Sequence, residues 1–328
     1  MLEHGGRLRA AARQWNIPLE DWLDLSTGIA PDAYPIPELP HDCWRRLPED
    51  DDGLDDAARA CYGAASLLVV PGSQAAIMAL PRLRSAGNAA VLAPSYGEHA
   101  AAWRTAGHAV EAFAAIDLEA ASAAADTVVV ANPNNPDATR FARDRLLTAA
   151  QTLAARRGWL VVDEAFADAE PADSLAGIAG TDAAPNLIVL RSLGKFYGLA
   201  GARVGCVIAA PEILDRLREA IGPWAVSHPA RFVALEAWRD AEWQTAQRHR
   251  LTAASTRLAD LLRGAGLGES RGTALFRYVE TPRAGEIFAS LAGQGILVRR
   301  FDEPAALRFG LPGAEREWAR LALALTRL

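Results

Sequence analysis

The chain has 328 residues, 51% of them hydrophobic and 23% charged, with a net charge of −6. This is the balance of a globular protein with one large domain and a smaller companion, or two moderate ones, and its acidity argues against a dedicated nucleic-acid surface. No apolar run approaches the about 20 residues that span a bilayer, and the N-terminus has no basic segment leading into an apolar core, so a soluble cytoplasmic protein without a membrane partner is expected.

In chain order, residues 7–15 are predicted to form a short helix and residues 23–48, rich in proline, an extended arm. Asp50, Asp51 and Asp52, followed by Gly53, Asp55 and Asp56, mark an acidic helix start, where carboxylates suit the positive end of the helix dipole. Short apolar runs then recur at residues 67–70, 89–92, 127–130, 159–163, 187–190 and 204–209. Alanine-rich stretches with helical spacing, such as 74–83 and 143–157, lie between most of them. Continuous apolar strands separated by helices predict a mostly parallel sheet buried on both faces. Ligands bind beyond the carboxyl ends of such strands.

Residues 211–220 read as a further helix and 231–262 as one long helical stretch linking domains. Strands at 274–279, 296–299 and 306–309, with helices at 284–292 and 314–325, predict a compact α+β tail. The expected domains are an N-terminal arm (1–44) contributing to the small domain and the active site, a large cofactor-binding domain (45–224) and a small C-terminal α+β domain (225–328). There is no internal repeat. Cys43, Cys61 and Cys206 are odd in number and widely spaced, with neither a disulfide framework nor a metal-ligand pattern.

Lys195 is the only lysine, and arginine fills the other 33 of the 34 basic positions. Codon bias accounts for arginine on solvated faces, which makes the exception informative. A guanidinium stays protonated and is a poor nucleophile, whereas an amine can lose its proton, attack a carbonyl and form an imine. A P-loop is excluded, because Val189 stands where its first glycine belongs and Phe196 where its Ser or Thr belongs.

Ser192 lies three residues before Lys195 and Arg203 eight after. A hydroxyl and a guanidinium flanking an amine suit an aldehyde cofactor that carries a phosphate, namely pyridoxal phosphate. Its pyridine nitrogen needs an anion, and Asp163 ends the run 159–163. Its phosphate needs backbone donors, and Pro71-Gly72-Ser73-Gln74 follows a strand and opens a helix. Its ring oxygen needs a donor, for which Asn135 in Asn132-Pro133-Asn134-Asn135-Pro136 is placed. Its ring face needs a flat partner, for which Tyr96 is placed. Taken singly, each of these features reads as a cap, a turn or a packing residue. Their order, each just after a strand, makes coincidence improbable.

With these residues in place, the chain resembles the class I/II aminotransferase superfamily, pyridoxal-phosphate enzymes of fold type I, from about Gly53 to the C-terminus. The resemblance implies an α/β fold with a mostly parallel, mixed seven-stranded sheet flanked by helices, a smaller α+β domain, and a homodimer. It implies that Lys195 is the Schiff-base lysine, Asp163 the partner of the pyridinium, Asn135 the ligand of the ring hydroxyl and Tyr96 the stacking ring. Gly72, Ser73, Gln74, Ser192 and Arg203 fall in the phosphate-binding segments, and Arg308 matches the arginine that receives the substrate carboxylate.

Three further segments narrow the resemblance to threonine-phosphate decarboxylases of cobalamin biosynthesis, relatives of histidinol-phosphate aminotransferases. They are His4-Gly5-Gly6 with residues 23–31, the run 191–201, and Pro223-Trp224-Ala225-Val226. This implies a small phosphorylated amino acid as substrate, L-threonine O-3-phosphate, with His4 and Arg299 on its phosphate side. Gly28 stands where some relatives carry an asparagine facing substrate.

The chain departs from the pattern at Phe166, where many aminotransferases carry a tyrosine bonded to the ring oxygen. It departs again at Asp137-Ala138, in place of Thr-Gly, and at Leu47-Pro48, in place of a Tyr-Pro that reaches the partner subunit's cofactor. Two alternatives stay open: a histidinol-phosphate-type aminotransferase and a non-catalytic cofactor-binding regulator. Such a regulator would carry a DNA-binding module, which is not expected here, since the net charge of −6 opposes it.

Overall fold

A computed structural model describes residues 5–328; His4 lies outside the described residues. The strands run, in chain order, β1 Leu23–Leu25, β2 Leu67–Val70, β3 Asn88–Leu92, β4 Ala109–Phe113, β5 Thr127–Ala131 and β6 Trp159–Asp163. They continue with β7 Leu187–Ser192, β8 Gly205–Ile208, β9 Arg271–Thr273, β10 Phe276–Glu280, β11 Ile296–Asp302 and β12 Ala305–Gly310. The chain divides into two compact units.

The larger unit comprises Tyr34–Asn135 and Thr139–Gln244. It holds a seven-stranded sheet of order β2-β8-β7-β6-β5-β3-β4. Strands β4, β3, β5, β6 and β7 are parallel, and β8 runs antiparallel to both β7 and β2. The β-branched runs Val128–Val130 and Val161–Val162 are buried because helices cover the sheet, among them Ser73–Ala79, Gly97–Thr105, Arg143–Ala154 and Pro211–Ile221. Val91, Val129, Val161, Ile188 and Val207 pack with Ile77, Leu80, Trp103 and Leu214 in one apolar cluster. Each such side chain contributes about 1.5–3 kcal/mol through burial.

The six apolar runs expected from sequence are all strands here. The seventh, β4, has no comparable run. It is the sheet edge, where Ala109, Glu111 and Ala112 are exposed, so its composition carries little hydrophobic signal. The helix expected at 74–83 stops at Ala79 and tightens into a 3-10 turn, Leu80–Leu83, because Pro81 cannot supply the next helical N–H.

The smaller unit comprises the chain up to Ala33, Pro136–Ala138 and Thr245–Leu328. Its five-stranded sheet has the order β1-β11-β12-β10-β9. Only β1 pairs in parallel, with β11; the other pairings are antiparallel. Part of the expected extended arm is therefore an edge strand. Helix Leu8–Trp15 buries Ala11 against Trp22, Ala292 and Leu297, with Trp15 and Phe288 at the rim.

The stretch 231–262 is not one helix. It is His228–Arg239 and Ala241–Gly264, interrupted at Asp240. The Asp240 carboxylate accepts the Trp243 N–H at 2.9 Å and the Tyr34 hydroxyl at 3.3 Å. Such a side chain competes with the helical backbone and starts a new helix instead of continuing the old one. No described helix is long and apolar enough to cross a membrane.

Candidate active site

Two clusters of functional side chains stand out, one in each unit. In the larger unit they gather at the carboxyl ends of the parallel strands, where open α/β sheets place their ligands. Strand β6 ends at Asp163, which is buried. One carboxylate oxygen lies 2.9 Å from His99 Nε2, and the other accepts the Ala165 N–H at 3.0 Å. A carboxylate in so dry a place needs such partners to offset its lost hydration. His99 comes from the first turn of helix Gly97–Thr105, 64 residues away in sequence, and sequence reasoning missed it. The only local signal is its position one helical turn after Tyr96.

Removing this partner leaves a buried carboxylate oxygen without its nitrogen. His99→Ala is expected to destabilise the fold by about 3 kcal/mol, measured by urea unfolding. A loss under about 1 kcal/mol would mean that the contact adds no more than a surface pair.

Lys195 follows β7 in a turn closed by the Gly198 N–H on the Lys195 carbonyl at 3.2 Å. The Ser192 hydroxyl accepts the Gly194 N–H at 3.3 Å and stiffens the same turn. Lys195 is half-buried, with Nζ 5.5 Å from the centre of the Phe166 ring.

Strand β8 joins the remaining pieces, since its Gly205 is the register partner of both Val70 and Ser192. A side chain at Gly205 would come within 2.8 Å of the Ser73 amide nitrogen. The Gly72-Ser73 turn and Ser192 therefore share one end of the sheet. Gly72 has φ +75°, and a Cβ there would lie 2.7 Å from Arg203 Nη2. Glycine meets both demands, and the Arg203 guanidinium, exposed and anchored on the Ala200 carbonyl at 3.1 Å, closes over this turn.

The Tyr96 hydroxyl donates to Gln74 Oε1 at 3.0 Å, and the Gln74 amide donates to Glu98 at 3.4 Å. Burial, then Glu98 and Asp163, push the Tyr96 phenol up to about 12. A phenol raised above its ordinary value keeps its proton through the neutral range. Its contribution to stability begins to fall only as pH rises past about 10. In the loop after β5, Asn132 bonds both backbone groups of Phe141, and Asn134 bonds the Pro94 carbonyl and the Ser95 hydroxyl. Asn132 thus braces its own loop and Asn134 ties that loop to the one after β3, and Asn135 is the half-buried one beside them.

In the smaller unit, Arg299 on β11 and Arg308 on β12 are direct register partners, so their side chains emerge on the same face. Arg308 is buried and donates to the Ser26 carbonyl at 2.8 Å. Its guanidinium lies 5.2 Å from the Phe276 ring centre. Burial, and after it Arg299, hold its pKa down to about 10 against the pull of Asp24. Like charges directly opposed across a ladder are unfavourable, and an anion placed there relieves the repulsion. Ser26 is held in turn: its hydroxyl donates to Asp24 at 2.6 Å and accepts the Gly6 N–H at 2.7 Å. Gly28 is buried in the segment that follows β1. Gly310, at the end of β12, has no room for a Cβ, which would meet the Thr27 carbonyl oxygen at 2.3 Å.

The arrangement in the larger unit suits a planar, phosphorylated ligand attached through an amine. The paired arginines suit a small anion. Comparison with known proteins agrees in kind. Residues 54–327 match the family described as aminotransferase class I and II. A threonine-phosphate decarboxylase of Pseudomonas aeruginosa is 51% identical over 325 residues, covering 99% of this chain and 97% of that one. A second, from a Sinorhizobium species, is 42% identical, covering 99% and 98%. Among solved structures, histidinol-phosphate aminotransferase from Sinorhizobium meliloti, in complex with pyridoxal-5′-phosphate, superposes with a TM-score of 0.85 at 23% identity, covering 100% and 98%. The chain belongs to the aminotransferase class I and II family, and within it to the threonine-phosphate decarboxylases.

Proposed function

We infer that the protein decarboxylates L-threonine O-3-phosphate with pyridoxal phosphate as cofactor, yielding (R)-1-amino-2-propanol O-2-phosphate and carbon dioxide for cobalamin biosynthesis. The observation that carries this is the end-to-end match, at 51% identity, to a threonine-phosphate decarboxylase. The three cysteines, none of them in a disulfide, fit a reducing cytoplasm.

The residues present suit the cofactor. The turn at Gly72 leaves the space that Arg203 enters, and Asp163 is a buried carboxylate already held by two hydrogen-bond partners. Lys195 would hold the aldehyde, Asp163 the ring nitrogen, and Asn135 the ring hydroxyl, with Tyr96 against the ring. Gly72, Ser73, Gln74, Ser192 and Arg203 would frame the phosphate. When bound, the cofactor supplies an electron sink for the bond that breaks at Cα.

The chain's own groups do the rest. Arg308 would receive the substrate carboxylate, with Arg299 and His4 on the phosphate side, so that the Cα–carboxylate bond is the one aligned for cleavage. The amine of Lys195 carries the proton that returns to Cα. Phe166 offers no hydroxyl, so Asn135 is left with more of the task at the ring oxygen.

The test is turnover of threonine phosphate with and without 2-oxoglutarate. Carbon dioxide release that needs no oxo acid is expected. Strict dependence on the oxo acid would favour a histidinol-phosphate-type aminotransferase, and a cofactor spectrum indifferent to every amino acid would favour a regulator.

A homodimer belongs to the same reading. Trp44 and Trp224 are 68% and 61% exposed, and Ile36 and Leu47 are exposed as well. Large apolar side chains left in water mark a surface that a second copy can cover. Sedimentation should give a dimer, and Trp44→Glu with Trp224→Glu should shift it toward monomer. An unchanged mass in the double variant would remove these residues from the interface.

A further inference from the structure

Glu164, Arg191 and Asp168 form a second group of ionisable side chains, which the proposed reaction does not use. They are 0%, 2% and 4% exposed, drier than most residues of the site itself. Arg191 Nε lies 3.4 Å from Glu164 Oε2, and Nη1 lies 3.5 Å from Asp168 Oδ1. Nη1 also faces the Glu164 carbonyl at 3.5 Å, and Nη2 donates to the Ser174 hydroxyl at 3.2 Å. Ser174 in turn donates to Glu164 at 2.6 Å, and the Leu175 N–H donates to its other oxygen at 2.7 Å. The Tyr62 ring closes the far side, 4.7 Å from the guanidinium carbon.

Energetically this is a poor way to fill a core. The two ion contacts are long, and one cation faces two carboxylates. Apolar side chains of the same size stabilise a protein as well or better in such places. What the cluster provides is direction. In a strand successive side chains point to opposite faces, and Asp163 is the register partner of Leu190. Asp163 and Ser192 therefore share one face, and Glu164 and Arg191 share the other.

Glu164 is thus the immediate chain neighbour of Asp163, and Arg191 that of Ser192. The fork of Arg191 ties the end of β7 to the segment 164–174. That segment carries Phe166, whose ring faces Lys195 Nζ at 5.5 Å. Burial opposes the charge on Arg191, but Asp168 and Glu164 more than offset it and hold its pKa above the ordinary arginine value. The guanidinium is therefore a permanent cation with a fixed plane.

We propose that Glu164, Arg191 and Asp168 are positioning residues, which hold Asp163, Phe166 and the Ser192–Lys195 turn at the spacing the cofactor requires. This rests on the proposed function, and it concerns how the site is built rather than which bond breaks. Two variants test it, assayed for apoprotein Tm, pyridoxal phosphate Kd, and kcat and KM for threonine phosphate. The first, E164Q/D168N/R191M, removes every charge at nearly constant volume. The second, Arg191→Lys, keeps the charge and loses the fork.

Both are expected to weaken cofactor binding about tenfold, the scale on which supporting groups act around a ligand site. Lower kcat and nearly unchanged KM are expected as well. The neutral triple variant should keep its Tm within a few degrees, which separates positioning from stability. A folded variant with natural cofactor affinity and kcat would overturn the proposal. If the triple variant does not fold, Arg191→Lys decides alone by the same criterion. A natural protein that fails to bind pyridoxal phosphate at all would instead refute the proposed function.

Discussion

Lys195→Arg is expected to abolish turnover, by about 10⁴-fold or more, and to eliminate the absorbance of the bound cofactor while the protein still folds. The substitution keeps the positive charge. It removes the one side-chain amine in the chain and puts in its place a group that neither deprotonates nor attacks a carbonyl at usable pH. Because Lys195 is half-buried, the longer side chain can reach solvent, and the change in unfolding free energy should stay within about 1 kcal/mol. The measurement is a cofactor absorbance spectrum after dialysis, alongside a turnover assay and a melt. Turnover at the natural rate, with the spectrum unaltered, would remove Lys195 from the chemistry.

Arg308→Gln should lower kcat/KM about 100- to 1,000-fold, the cost of removing one member of a buried, hydrogen-bonded charge pair. It should not lower the Tm of the protein without substrate. The sign follows from the lowered pKa. Burial and Arg299 depress Arg308 to about 10, below its value in the unfolded chain. Folding with this cation is therefore unfavourable at neutral pH, and that penalty is relieved only as pH rises through about 10. Glutamine removes the penalty and keeps a polar, uncharged end on the side chain.

An anion does what glutamine does, by a different route. Inorganic phosphate should raise the Tm of the natural protein, and raise it less in Arg308→Gln. A variant that loses both stability and activity in proportion would mean that Arg308 is a structural residue and not a substrate ligand.

The parallel sheet could be read from sequence because burial on both faces forces its strands into unbroken valine- and leucine-rich runs. The edge strand β4 escaped because half of it faces water, and β1 because three residues amid prolines carry no period. Asp240 looked like one polar residue on a long helix. Its carboxylate bonds the Trp243 amide and the Tyr34 hydroxyl, and the second of these lies far away in the chain.

The candidate site divides along the same line. Lys195 stood out by composition, and Ser192, Arg203, Gly72 and Asn135 stood out by spacing from strands, because local rules place a turn or a helix start where each occurs. His99 against Asp163, Arg299 opposite Arg308, and Glu164 with Arg191 beneath the site were invisible. Each pairing joins residues brought together by strand register and helix packing, and a chain read residue by residue has no access to either. Composition and period reflect how a residue meets its neighbours in sequence and its solvent. Which buried charge faces which is set by registers and crossovers that exist only once the sheets have formed.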